Sequence, residues 1–141
     1  MSHVSQIKLK VYDMLAMGYT ASEFGLELRQ QSTYKSYPGY LPGQDLPAEF
    51  RGLDLSQVDY AICNPVDPHM YEIGLKQLPD GSYALLYDKD MGGNGLDKII
   101  GKGGINLICG YEKWAYKNLH PTAEFMDTED DRYTYTYANY Q

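Results

Sequence analysis

The chain has 141 residues, the length of one domain, and 43% of them are hydrophobic, so it has the material for a packed core and is not a disordered segment. A formal net charge of −7 repels phosphate backbones and argues against general nucleic-acid binding. No apolar run reaches the roughly 18 residues that a membrane helix needs, and the opening MSHVSQIKLKVYD lacks the apolar centre of a signal peptide, so a cytoplasmic protein with no membrane partner is expected.

Cys63 and Cys109 lie far apart, without a CxxC or a nearby histidine. Zinc needs closely spaced ligands, so two reduced thiols are expected, with no metal and no cofactor. Fifteen tyrosines stand out. A tyrosine buries a large ring and keeps a polar tip, which suits half-buried strands and interfaces.

Residues 3–11 alternate. Ser5, Ile7, Leu9 and Val11 share one face, and Gln6, Lys8 and Lys10 share the other, as in a strand with one wet side. Asp13 is placed to cap a helix on which Met14, Met17, Ala21 and Phe24 share a face, and Gly25 is placed to close it. Leu26 to Tyr37 reads as a second strand, with Leu26, Leu28 and Tyr34 inward. PGYLPGQDLPAEFRG reads as a loop, Leu53 to Gln57 as a short helical turn, and Val58 to Cys63 as a third strand.

Met70 to Gln77 and Ser82 to Asp88 form the clearest hairpin, turned by Pro79-Asp80-Gly81. Tyr71, Ile73 and Leu75 share a face of one strand; Tyr83, Leu85 and Tyr87 share a face of the other. Gly74 marks a place where another backbone comes close. KDMGGNG is a loop, and Leu96 to Ile100 is a helical turn broken by Gly101-Lys102-Gly103-Gly104. Ile105 to His120 is the longest helix, ended by Pro121. Two last strands, 122–128 and 132–139, place Tyr133, Tyr135 and Tyr137 on one side. This order predicts a single α+β domain over residues 1–141, with an antiparallel sheet of about six to seven strands and two main helices packed on one face.

The segments MSHVSQIKLK, EFGLEL, STYKSYPGY, DYAI, YEIGL and GYEKWAYKN, with a glycine-rich stretch after the hairpin, occur in an order that resembles the domain-of-unknown-function 1257 family. Members occur in cyanobacteria, plastids, other bacteria and tailed phages. The resemblance covers nearly the whole chain. It implies a small soluble accessory protein and brings no reaction and no catalytic residue.

IIGKGGINL resembles, locally, the signature of K-homology domains: two apolar residues, a GxxG turn, then a helix with an apolar residue three positions on, here Leu107. Such a loop grips single-stranded nucleic acid, because small residues let the backbone approach phosphates at a helix N-terminus. Gly101, Lys102, Gly103 and Gly104 are therefore candidate binding residues, for single-stranded nucleic acid or for a nucleotide. In the second case Lys102 and the amides from Gly103 to Ile105 would cradle its phosphate. The competing reading is a helix–helix corner that needs positive φ. A tyrosine-rich sheet face, comprising Tyr71, Tyr83, Tyr87, Tyr133, Tyr135 and Tyr137, is the candidate surface for a protein partner. Asp88-x-Asp90 opens like a calcium loop, but Ile99 stands where the closing carboxylate belongs. His3, His69 and His120 fall in separate segments, and no nucleophile has an activating neighbour. The leading expectation is a non-enzymatic accessory or protein-interaction protein.

Overall fold

Alternating side chains build the sheet. The computed structural model describes residues 3–36, 40–44, 46–50 and 52–120, together with two strands beyond them, 123–127 and 133–137. Five strands form one sheet: β1 (Val4–Val11), β2 (Glu27–Arg29), β3 (Tyr60–Cys63), β4 (Ile73–Gln77) and β5 (Tyr83–Asp88). Their order is β1-β5-β4-β3-β2, and every neighbouring pair is antiparallel. A bulge between Ile7 and Lys10 shifts the β1–β5 register. The helical segments are α1 (Met14–Glu23), α2 (Met91–Asn94), α3 (Leu96–Ile100) and α4 (Ile105–Leu119).

Asp13 caps α1, its Oδ1 accepting from the Ala16 amide at 3.0 Å, and Gly25 follows the helix at φ +73. β1 and β2 occupy opposite edges of the sheet, so α1 carries the chain across one face. α4 packs beside it. Ile7, Met17, Ile73, Leu85, Tyr87, Leu107 and Tyr111 belong to the core on that side.

The opposite face is also covered. Tyr34, Leu46, Phe50, Leu55 and Val58, all from the chain between β2 and β3, pack on Ala61, Ala84 and Leu86. The pleat sends Leu85 and Tyr87 to the helical core and Ala84 and Leu86 to this second one. Central strands buried on both faces explain why YALLY is nearly continuous in apolar residues.

The sheet has five strands, fewer than the pattern predicts. The last two strands, β6 (Ala123–Asp127) and β7 (Tyr133–Tyr137), pair only with each other, Phe125 opposite Tyr135. β2 stops at Arg29, well short of Tyr37, because the chain leaves the sheet to lay Tyr34 over β4. A Cβ on Gly74 would stand 2.6 Å from Tyr34 Cδ1. Gly74 therefore makes room for a ring, where the sequence suggested a backbone. Leu53 to Gln57 is not helical. The Asp54 carboxylate accepts from both the amide and the hydroxyl of Ser56, a local bond that competes with helix formation. A 3-10 turn, Ala48–Phe50, precedes it. KDMGGNG contains a left-handed turn, α2, with φ +52, +66, +65 and +56 from Met91 to Asn94. The Pro79-Asp80-Gly81 turn is as predicted: Asp80 Oδ1 accepts from Ser82, and Gly81 has φ +89.

Cys63 and Cys109 are both buried and free, and burial pushes the Cys63 thiol up to about 12. Among the described residues no helix is long and apolar enough to cross a membrane.

Candidate functional site

The glycine corner joins α3 to α4. It runs through Gly101 and a 3-10 turn, Lys102–Gly104. Gly104 has φ +79, and a Cβ there would stand 2.8 Å from Ile7 Cγ2, so glycine is what lets the start of α4 rest on β1. Gly103 has φ +69 and nothing within 4 Å of the same position, so it faces open space. The Gly101 amide donates to Asp97 O and the Gly104 amide to Gly101 O, each at 2.9 Å. The Gly104 amide is thus spent inside the corner, which takes one amide away from the expected cradle of Gly103 to Ile105. Lys102 remains exposed at its rim.

Beside this corner lies a cleft of about 800 Å³, within the range typical of small-molecule sites. Lys8 from β1, Lys89 from the end of β5 and Lys102 from the corner line it, together with Asp97, Ile105 and Ile108. Lys8 and Lys102 make no salt bridge among the described residues. Asp90 and Met91 complete one rim, and Met91 is 83% exposed. Asp97 Oδ1 is buried without a hydrogen-bond partner. Burial pushes this carboxyl above its ordinary value, while the Lys102 and Lys89 ammonium groups pull it down. A second depression, of about 510 Å³, adjoins the cleft and shares Lys89 and Asp90 with it.

The tyrosines of the main sheet do not share one exposed face. Tyr87 alternates into the helical core and is 2% exposed, contacting the cleft only as part of its wall. Tyr71 and Tyr83 are half-buried, and the Tyr83 ring meets Tyr60 edge-on at 5.7 Å. Tyr133, Tyr135 and Tyr137 belong to the separate β6–β7 pair. The burial of Tyr87 removes it from any such surface.

The calcium-loop start is closed as well. Asp88 is 2% exposed, and its Oδ1 accepts from the Asp90 amide. Among the described residues no group of three His, Cys, Asp or Glu is placed to hold a metal. The K-homology likeness ends at the corner, because α3 has five residues and β6 and β7 do not join the main sheet.

Two features have no counterpart among the candidates read from the sequence. Lys8 and Lys89 join Lys102 only through the pairing of β1 with β5, which no local motif signals. Tyr12, just before α1, and Leu15 and Tyr19 on α1 stand 70%, 60% and 44% exposed, beside the methionine stripe of the same helix. Comparison with family models, with curated proteins and with solved structures finds no match for the chain, so the resemblance to the 1257 family rests on the quoted segments and the site on its geometry.

Proposed function

We propose that this protein binds a small phosphate-bearing ligand in the cleft between the glycine corner and the β1–β5 edge. One observation carries this reading: Lys8, Lys89 and Lys102 converge on a single cleft in a chain whose net charge is −7. Solvent screens distant charges over about 8 Å at physiological salt, so the local lysines govern a ligand at close range. Ile105, Ile108 and Met91 offer an apolar wall beside them. A nucleotide presents both an anion and a flat apolar part, and is the class that fits.

Isothermal titration with pyrophosphate and adenosine monophosphate tests the reading. Binding is expected to weaken about tenfold or more in Lys102→Ala and in Lys8→Ala, since each removes a charge-assisted contact. Lys76→Ala, whose ammonium bonds to the Asp54 and Gln57 carbonyls away from the cleft, serves as the control that keeps affinity. No heat with either probe at low salt overturns the proposal. A second reading, an accessory protein that docks on a protein partner, draws on Tyr12, Leu15 and Tyr19. There a complex would survive Lys102→Ala and be lost in Leu15→Asp.

A further inference from the structure

We infer that the cleft holds a nucleobase against the open edge of β1, where the main chain of Gln6 donates to one atom of the base and accepts from its neighbour. This rests on the proposed phosphate-bearing ligand: the lysines take its phosphate, and Gln6 supplies the contact that makes the ligand a nucleotide.

β1 is an edge strand of the sheet. Its outer side is occupied at Val4, whose amide donates to Leu41 O at 2.7 Å and whose carbonyl accepts from the Gly43 amide at 2.8 Å. Both main-chain groups of Val4 therefore point away from β5. The pairing with β5 runs without a shift from Val4 to Ile7, so Ser5 turns toward β5 and Gln6 turns outward again. The carbonyl next in line for the Gln6 amide, Gly43 O, accepts from the Leu46 amide instead. Among the described residues no other main-chain bond reaches Gln6 from that side.

The cleft opens over this edge. Tyr87 and Ile108, which line it, pack with the helical core. Gln6, which also lines it, alternates with Ile7 and so shares the opposite face of β1 with Val4 of the loop-side core. A cleft lined from both faces of a strand lies across its edge, where the Gln6 groups point. An outward residue of a strand offers a donor and an acceptor side by side. The edge of a nucleobase carries the matching pair, such as the amino group and ring nitrogen of adenine. An added strand from another protein would need several such pairs, but the register of β1 breaks between Ile7 and Lys10, and a bulge turns an edge away. A single open pair suits a ring. Ile105, Ile108 and Met91 suit its flat faces.

The experiment is titration of the full chain with pyrophosphate, ribose 5-phosphate, adenosine monophosphate and guanosine monophosphate, together with amide hydrogen exchange read by NMR. The tighter of the two nucleotides is expected to bind about tenfold or more tightly than ribose 5-phosphate, which has no base. That nucleotide should slow exchange of the Gln6 amide about tenfold, and pyrophosphate and ribose 5-phosphate should not. Gln6→Pro removes the outward N–H, a change that an edge strand tolerates. It should keep pyrophosphate binding and lose the advantage of the nucleotide over ribose 5-phosphate. If Gln6→Pro fails to fold, the exchange of wild type decides alone. A nucleotide that binds no more tightly than ribose 5-phosphate, or that binds without slowing the Gln6 amide, overturns the inference. The phosphate reading then stands provided pyrophosphate binds and Lys102→Ala weakens it. No binding by any of the four overturns both.

Discussion

Asp97 carries a charge that its surroundings do not favour. Its ordinary carboxyl value is 3.8 and burial raises it in the folded chain, so the native state holds this proton more tightly than the unfolded state does. The stability it contributes is complete below 3.8 and is lost as pH rises through the folded value. Asp97→Asn removes that loss. Its thermal midpoint is expected to lie above that of wild type at pH 7, with the gap closing as pH falls below 3.8. Calorimetry of both proteins across that range checks it, and equal midpoints at pH 7 would mean that the carboxylate is solvated after all. The site also explains why Asp97 was missed. In LDKII it reads as an ordinary acidic residue in the first turn of α3. Only the placement of Lys89 and Lys102 around it gives it another meaning.

Elements are tied together by side chains that reach across the sequence. The Tyr111 hydroxyl of α4 accepts from the amides of Tyr12 and Asp13, at 2.9 and 3.0 Å. Asp13 in turn caps α1, and its Oδ2 accepts from Asn118 near the end of α4 at 2.9 Å. One ring therefore fixes the angle at which β1 passes into α1. Tyr111→Phe strips two amides of their acceptor and is expected to cost about 1–3 kcal/mol by chemical denaturation. Faster hydrogen exchange should be confined to Tyr12 and Asp13. Local chemistry was readable here: Asp13, Gly25 and Pro79-Asp80-Gly81 announce their turns and caps because each acts within a few residues. Tyr111 gave no such notice, since its partners lie about a hundred positions away. The same limit hid the lysine cleft. It also misplaced Tyr87, because period two tells which residues share a face and not whether that face is covered.

The whole molecule is a sheet sealed on both sides by unlike layers. Helices cover one face, and the chain between β2 and β3 covers the other. A long irregular covering layer has few backbone bonds of its own, so it should open at lower free energy than the helical side. Gly74 is the point at which that layer is seated. An added methyl would meet Tyr34 Cδ1 at 2.6 Å and Val58 Cγ1 at 2.7 Å, and both belong to the loop-side core. Gly74→Ala therefore forces Tyr34 and Val58 outward and is expected to cost about 1–3 kcal/mol. Exchange at the Val58 amide, which is bonded to Ser32 O, should accelerate. Amides in the middle of β5 should keep most of their protection, because Leu85 still packs under the helices. Equal acceleration at Val58 and Leu85 would show instead that the two layers open as one cooperative unit, and that the loop layer is as much a part of the core as α1 and α4.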